Sequence, residues 1–335
     1  DITLTGWALE SRVYAEDPFR NFMPSIGRLV KYMPTPASET VRVDTGIKEG
    51  SEVSMFYDPM IAKLITYGDT RDEAIARMHD ALDQYCIRGV SHNISFLNAL
   101  IAHPKFKAGD ITTNFIAEEY PDGFHASDVV PSDTQLPVAI AAAVHRAYVD
   151  RASQISDQLA GHEKIVDDKF VVCIGSDRHA VSVVPIEGGF EISVGDSLFR
   201  VVTKWQLGET LIHAEVNSHH ICFQLDREGT RYRLSHRGAQ IDALVLTPRA
   251  AELSAHMLEK IPPDLSKFLL SPMPGLLVRL GAKPGDTIKA GEELAVVEAM
   301  KMENSLRAEE DVVIANVLAE QGDTLAVDQP ILEFE

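Results

Sequence analysis

The chain is poor in cysteine. Its 335 residues include only Cys86, Cys173 and Cys222, an odd number with no two in a CxxC spacing. Thiols so far apart argue against a disulfide framework and against a structural zinc site. The cysteine usage therefore favours a reducing compartment: the cytoplasm of a bacterium or, as the alternative, the mitochondrial matrix.

Positive charge is also scarce. There are 31 lysines and arginines against 50 aspartates and glutamates, a net charge of −19. Because phosphate binding depends on clustered basic side chains, we expect neither nucleic acid nor an anionic membrane as a partner. The same balance weighs against a coenzyme A site on this chain, since coenzyme A is a polyanion. No apolar run is long enough to span a bilayer.

The first residues lack an initiator methionine, a basic region and the apolar core of a signal peptide. They have the pattern of a strand already inside a domain, so we expect the chain to be the C-terminal part of a longer protein. A chain of 335 residues predicts two or three domains with sizeable cores.

The most informative feature present is an internal repeat near the C-terminus. The tripeptide Gly-Asp-Thr at 285–287 recurs at 322–324, an offset of 322 − 285 = 37, and similar short apolar runs follow both copies. Two matching sets of strands predict a small quasi-symmetric sandwich. Lys301 falls in the connection between its halves, where a lysine is well placed to be modified.

The residues around that lysine carry a resemblance. Ala299-Met300-Lys301-Met302, preceded by Pro272-Met273-Pro274-Gly275, resembles a biotin carboxyl carrier domain over roughly 267–335. The resemblance implies biotin in amide linkage to Lys301, with Met300 and Met302 as its flanks and a biotin protein ligase as a partner. Lipoyl domains share the fold but resemble Asp-Lys-Ala at the tip, which argues against lipoate. The plainer alternative is an ordinary hairpin lysine.

The middle of the chain predicts a helix followed by a β-meander. Residues 139–159 are alanine-rich, with Asp133 or Thr134 as a cap and Pro137 in the first turn. Eight runs with period two and turn signals between them then follow: 170–174, 179–186, 190–194, 198–205, 210–216, 220–226, 230–235 and 240–246. Eight such strands can close and remove exposed edges. We expect the helix beside or inside an eight-stranded antiparallel barrel. In this region His219 and His220 suggest a metal site, but neighbours on a strand point to opposite faces, so we predict no metal.

The first segment predicts mixed α/β structure, with a strand at 7–16 and helices at 69–85 and 91–103. The stretches 6–18, 57–64 and 68–75 resemble the C-terminal subdomain of biotin carboxylases. The resemblance implies that Arg12 acts on the ureido group of biotin. A guanidinium is always charged and donates in a planar fork, so it can stabilise negative charge that develops on the ureido oxygen. The alternative is a strand arginine in a salt bridge with Glu10 or Glu16.

The expected fold is therefore a multidomain α+β chain. We place a mixed α/β biotin carboxylase C-terminal subdomain at 1–125, a helix-plus-barrel BT domain at 130–248, a linker at 249–266 and a β-sandwich (flattened barrel) biotinyl domain at 267–335. The stretch 261–271, fully extended, could reach roughly 35–40 Å, a tether that lets the last domain travel.

This order of segments resembles the α subunits of acyl-CoA carboxylases, propionyl-CoA carboxylase in particular. The resemblance implies a ligase that carboxylates biotin with ATP, Mg²⁺ and bicarbonate and transfers the carboxyl group to propionyl-CoA, giving methylmalonyl-CoA. It implies a carboxyltransferase β subunit bound through the BT domain, and other α subunits as further partners. The ATP-binding segments lie upstream of the match. The alternatives are a methylcrotonyl-CoA or other acyl-CoA carboxylase, or a non-catalytic biotinylated carrier and docking fragment.

Overall fold

A computed structural model describes residues 3–54, 56–129, 133–257, 265–299 and 302–334, without the side chain of Met302. The described chain folds as three units in sequence order. No helix in these ranges is long and apolar enough to cross a membrane.

The first unit contains thirteen helices and strands and two short 3-10 helices. They are β1 (Trp7–Tyr14), β2 (Glu16–Asp17), a 3-10 helix (Pro18–Arg20), β3 (Met23–Pro24), β4 (Gly27–Arg28), β5 (Lys31–Met33), β6 (Val41–Thr45), β7 (Glu52–Val53), β8 (Met60–Gly68), α1 (Arg71–Gln84), β9 (Cys86–Arg88), α2 (Ile94–Ala102), α3 (Pro104–Ala108), α4 (Phe115–Glu119) and a 3-10 helix (Ala126–Asp128).

A three-stranded antiparallel sheet in the order β1-β8-β6 forms the base of this unit, and α1 packs against it. Helix α1 begins where its sequence predicts, because the Thr70 hydroxyl accepts the Glu73 N–H at 3.2 Å and the Glu73 carboxylate accepts the Asp69 N–H at 3.1 Å. Its apolar stripe lies in the core with the inner residues of β1 and β8. The two helices predicted in this segment are thus present, with slightly shorter bounds.

The second unit is a closed barrel of eight antiparallel strands with a helix in its interior. Its elements are α5 (Leu136–Ser153), β10 (Lys169–Ile174), β11 (Asp177–Ile186), β12 (Gly189–Val194), β13 (Ser197–Thr203), β14 (Leu211–Val216), β15 (His219–Glu228), β16 (Arg231–His236), β17 (Ala239–Leu246) and, after the barrel, α6 (Pro248–Ser254).

All eight predicted strand runs are confirmed, and the position of the helix is now decided. Seven consecutive residues, Val138–Val144, are buried, and they share one core with the inward side chains of the strands. A helix that is apolar on every side is stable only when it is surrounded. Helix α5 therefore fills the barrel.

The predicted end of this helix, at Leu159, was wrong. Helix α5 ends at Ser153, where the Gln158 side-chain amide donates to the Ser153 carbonyl at 2.6 Å. Near its end, the buried Arg146 pairs with Asp150 and Asp168, both at 2.7 Å. Beyond the barrel mouth the helix has no strands to pack against, and helix propensity alone does not extend it.

The third unit is a sandwich of two four-stranded sheets. Its strands are β18 (Phe268–Leu270), β19 (Gly275–Leu280), β20 (Thr287–Ile288), β21 (Glu293–Ala299), β22 (Met302–Arg307), β23 (Val312–Val317), β24 (Thr324–Leu325) and β25 (Pro330–Phe334).

The sheet orders, β18-β25-β23-β20 and β22-β21-β19-β24, show the predicted symmetry. Strand β19 maps onto β23 by the offset of the repeat, 312 − 275 = 37, and β20 maps onto β24 and β21 onto β25 by the same shift. The predicted tether at 261–271, in contrast, extends too far, and its part at 261–264 lies outside the described residues. Phe268–Leu270 pairs with β25, and Ser271 is fully buried, because the sandwich needs this edge strand to complete its sheet.

The first unit and the barrel are joined by a buried polar junction centred on Asp83. Its carboxylate accepts the backbone N–H of Arg237 at 2.7 Å and lies 3.2 Å from His236 Nδ1. The side-chain amide of Gln224 donates to the carbonyls of Asp83 and Tyr85, both at 3.1 Å. Since buried polar groups are stable only when paired, these contacts fix one unit against the other.

Two aspartates on α1 share Arg237 and differ in burial, which makes a matched test. The Asp83 side chain is 3% exposed and that of Asp80 is 59% exposed. Asp83→Ala leaves the part-buried Arg237 N–H without its acceptor, so we expect a loss of about 1–3 kcal/mol in the free energy of unfolding. Asp80→Ala removes a solvent-exposed ion pair and should lose less than about 1 kcal/mol. Urea unfolding of the whole chain measures both, and equal losses would contradict a junction built on Asp83.

Candidate functional site

Arg12 lies near the end of β1, on the exposed face of the sheet. Its neighbours Ser11 and Val13 point inward and are buried, so the strand period directs Arg12 outward. The Arg12 side chain is 57% exposed. The guanidinium can therefore contact a group that approaches from solvent.

The immediate partner of Arg12 is Glu10. Arg12 Nε donates to Glu10 Oε1 at 3.2 Å, and this bond raises the pKa of Arg12 above its ordinary value, with a smaller contribution from Tyr14. Lys63, opposite Arg12 on β8, has its Nζ 4.0 Å from the same Glu10 oxygen. The salt bridge that was the alternative role for Arg12 is thus formed with Glu10. Both side chains are about half exposed, and such a pair exchanges easily for another anion.

Asn93 is a positioning residue that sequence reasoning missed. It is buried, its side-chain amide donates to the Arg12 carbonyl at 3.1 Å, and its Oδ1 accepts the Tyr14 N–H at 2.9 Å. These bonds hold the backbone of β1 on both sides of the bulge between Val13 and Tyr14. The available signal was an asparagine just before an apolar helical stretch, which is typical of a helix cap; here the side chain bonds β1 and makes no cap bond.

The second candidate site is the hairpin formed by β21 and β22. Its last paired residues are Ala299 and Met302, which leaves Met300 and Lys301 between them. Those two residues, and the side chain of Met302, lie outside the described part of the chain. Short hairpin connections favour Asn and Gly. Met-Lys is therefore not explained by turn formation, which supports a functional reason for the pair.

The Pro-Met-Pro-Gly stretch that precedes the hairpin has a steric explanation at Gly275. A Cβ at this position would lie 2.5 Å from the Glu298 carbonyl oxygen and 2.7 Å from Val297 Cγ1. Ser271, fully buried, donates its hydroxyl to the Met273 carbonyl at 2.7 Å. The stretch thus packs directly against β21, the strand that precedes Met300 and Lys301.

No cluster of three or more metal-binding side chains occurs in the described ranges. His219 and His220 are both exposed at the start of β15, and His219 Nδ1 lies 3.0 Å from the Asn217 carbonyl.

Three family models match the chain in succession. Residues 10–118 match the biotin carboxylase C-terminal domain, 138–260 the propionyl-coenzyme A carboxylase BT domain, and 267–334 the family described as biotin-requiring enzyme. The chain is also 43% identical, over its whole length, to the propionyl-CoA carboxylase alpha chain of Ruegeria pomeroyi, of which it covers 52%. The chain is therefore similar, over its whole length, to propionyl-CoA carboxylase alpha chains.

Other relatives differ in their sequence identity to this chain. The human mitochondrial propionyl-CoA carboxylase alpha chain is 40% identical, with all of this chain and 47% of the relative covered. The mitochondrial methylcrotonoyl-CoA carboxylase subunit alpha of Rattus norvegicus is 29% identical, with 100% and 48% covered. The chain spans about half the length of the curated relatives it matches.

Gly275 allows a test of the β21–β22 hairpin. Gly275→Ala places a methyl group against the Glu298 carbonyl, so we expect a loss of about 1–3 kcal/mol in unfolding free energy of the sandwich and reduced biotinylation by a biotin ligase. Gly281→Ala is the matched control, since its Cβ would meet its nearest atom, the Glu293 carbonyl oxygen, at 3.3 Å. Thermal unfolding and intact mass measure the two effects. An unperturbed Gly275→Ala variant would show that this close approach is not required.

Proposed function

We propose that the chain is the biotin-bearing part of the α subunit of a propionyl-CoA carboxylase, with biotin attached to Lys301. The observation that carries the proposal is the ordered match of three domain families together with the whole-chain similarity to propionyl-CoA carboxylase alpha chains. We keep the domain bounds 1–125, 130–248 and 267–335, with the linker at 249–266, as part of this proposal.

Biotin bound at Lys301 supplies a ureido nitrogen that can accept and release a carboxyl group. The hairpin suits such a group, because both of its strands are held by pairing up to the residues that flank Met300 and Lys301. Met300 and Met302 form the flanks that the ligase recognises. ATP, Mg²⁺ and bicarbonate are used by the upstream part of the subunit.

Arg12 would stabilise the negative charge that develops on the ureido oxygen. Its position supports this role: the guanidinium is exposed, the backbone is held by Asn93, and the ion pair with Glu10 is half exposed. A preorganised donor stabilises a developing oxyanion more strongly in a water-excluded site than it stabilises a carboxylate in a solvent-exposed ion pair. Glu10 would then keep the guanidinium oriented between turnovers.

The barrel unit would bind the carboxyltransferase β subunit, which is the partner that the BT-domain match suggests. A biotin protein ligase and other α subunits complete the proposed partners. We propose the bacterial cytoplasm as the location, with the mitochondrial matrix as the alternative. The bacterial and mitochondrial relatives and the three free thiols support a reducing compartment.

Attachment at Lys301 is tested by mass. Coexpression with a biotin ligase should add one biotinyl group to the wild-type chain and none to Lys301→Arg, because only a primary amine at that position forms the amide. Lys289→Arg is the matched control: Lys289 is an exposed lysine in the same sandwich, paired with Asp311. Equal labelling of Lys301→Arg and wild type would contradict the assignment.

The role of Arg12 is tested with two variants. One removes the guanidinium, and the other removes only its ion pair with Glu10. In the complete α subunit, Arg12→Ala should slow biotin carboxylation by about 100-fold, the usual effect of removing one donor to a developing oxyanion. Glu10→Gln removes the same ion pair but keeps the guanidinium, so we expect less than about a fivefold effect. Lys301 should remain biotinylated in both variants. Equal effects of the two substitutions would mean that Arg12 serves only the salt bridge.

The acyl-CoA substrate is tested on the assembled complex. We expect propionyl-CoA to have the highest kcat/KM among propionyl-, butyryl-, acetyl- and methylcrotonyl-CoA, since the propionyl-CoA carboxylase chains are more similar to this one than the methylcrotonoyl-CoA carboxylase chain. A preference for methylcrotonyl-CoA would favour the second candidate. No carboxylation of any substrate by a biotinylated complex would favour the non-catalytic carrier.

A further inference from the structure

A strained segment of the first unit contacts the carrier sandwich. The segment consists of residues 17–24 and follows directly from β1, the strand that bears Arg12. We call it the docking segment. Asn21 and Phe22 within it have left-handed backbone angles, φ 53° and 57°. Such angles are uncommon outside glycine and rare for a bulky aromatic residue, and they tend to occur at functional positions.

Aromatic packing on the inner side of the segment stabilises this strained backbone. The ring of Phe19 stacks on Phe124 at 5.2 Å, and the ring of Phe22 meets the edge of Phe96 at 4.7 Å. Both partners are buried. The Asp17 carboxylate accepts the Phe19 N–H at 3.0 Å and caps the short helix. The segment is therefore a rigid platform.

Two side chains of this platform meet the carrier sandwich. Arg20 Nη2 lies 2.5 Å from Asp328 Oδ1, and Met23 packs against the apolar core of the sandwich. The first contact is polar and the second is apolar. Each involves a single side chain of the docking segment, and the ion pair is half exposed, with side-chain exposures of 41% and 54%. Contacts of this kind hold a tethered domain weakly and release it readily.

The carrier side departs from its own symmetry at this contact. Asp328 lies in the turn before β25, and the offset of the repeat maps it onto Gly291 in the turn before β21. The turns are otherwise alike: Gln329 accepts the Ala326 N–H in one, and Glu292 accepts the Lys289 N–H in the other. Gly291 has φ 87° and Asp328 has φ 60°. A charged residue thus occupies a left-handed position where the other half of the repeat has glycine.

We infer that residues 17–24 form a docking site for the chain's own carrier domain, in which Arg20 pairs with Asp328 and Met23 packs against the apolar core of the sandwich. The inference rests on the proposed carrier function of the sandwich. It adds the position that the sandwich occupies between its visits to the two reaction sites. Docking beside the Arg12-bearing strand keeps the carrier at high local concentration near the group proposed to act on its biotin. The half-exposed ion pair lets the carrier leave for the β subunit.

The test is a zero-length cross-link in the whole chain. Arg20→Lys places a primary amine opposite the Asp328 carboxylate, so a carbodiimide should join positions 20 and 328 through an amide, identified by peptide mass spectrometry. Asp328→Asn in the same background should abolish the link. Arg42→Lys is the matched control, because Arg42 is an exposed arginine of the first unit that pairs with Asp44. It should form no link to 328.

The internal standard is the Lys289–Asp311 ion pair, which lies within the carrier sandwich at 2.6 Å and should cross-link in every variant. Met23→Ser should lower the yield of the 20–328 link several-fold, and Met33→Ser, at an exposed methionine on β5, should not. The yield should also fall when salt is raised from about 0.1 M to about 1 M, as the Debye length shortens from about 10 Å to about 3 Å.

A missing 20–328 link in the presence of the Lys289–Asp311 link would overturn the docking site. Equal linking of positions 20 and 42 to 328 would also overturn it, since it would show only random encounter. The reaction needs no biotin and is run on unmodified and biotinylated chain. Failure of docking is thus distinguished from failure of the carrier function, which the mass of the Lys301→Arg variant reports.

Discussion

The buried carboxylate of Asp83 is the constraint on which the arrangement of the chain depends. It lies in the last turn of α1, where the helix dipole disfavours an anion. The Arg237 N–H and His236 from the barrel compensate for this position. An aspartate in that place is stable only when the barrel is docked, so the first unit and the barrel behave as one frame. The Arg12 strand is fixed in that frame.

The contacts of the proposed functional groups are of the opposite kind. The Arg12–Glu10 and Arg20–Asp328 ion pairs are both half exposed. Each partner can therefore return to water when the pair breaks. Breaking a buried pair costs several kcal/mol, whereas an exposed pair contributes roughly 0–1 kcal/mol. Groups that must exchange partners during a reaction cycle need the second kind. The chain thus places strong polar contacts between units that stay together and weak ones where a group is proposed to move.

The C-terminal sandwich shows how a repeat can be adapted at one point. Its two halves share strand order, turn geometry and a buried core. They differ where one turn has Gly291 and the other Asp328, and where the β21–β22 connection contains Lys301. Aspartate tolerates the left-handed conformation better than most residues other than glycine, so this turn accepts the replacement. The side chain that the replacement introduces is the one that pairs with Arg20.

Much of the fold was determined by the sequence itself, because the signals are local. Period-two runs and turn residues defined the eight barrel strands, and the 37-residue repeat defined the sandwich. Met-Lys-Met predicts Lys301 as the modified residue, and that stays a prediction. The end of α5 was missed, since the sequence continues to favour helix after the barrel stops supporting it. The tether was overestimated, because an edge strand of three residues has no period long enough to recognise.

Only the tertiary structure decided which distant residues meet. Asn93 reaches the Arg12 carbonyl across 81 positions, Asp83 reaches Arg237 across 154, and Arg20 reaches Asp328 across 308. It also decided that α5 lies inside the barrel, which the run of apolar residues allowed but did not require. Local pattern reports which face of an element is apolar. The partner of a polar side chain follows from how the units close on one another, and that is a property of the whole chain.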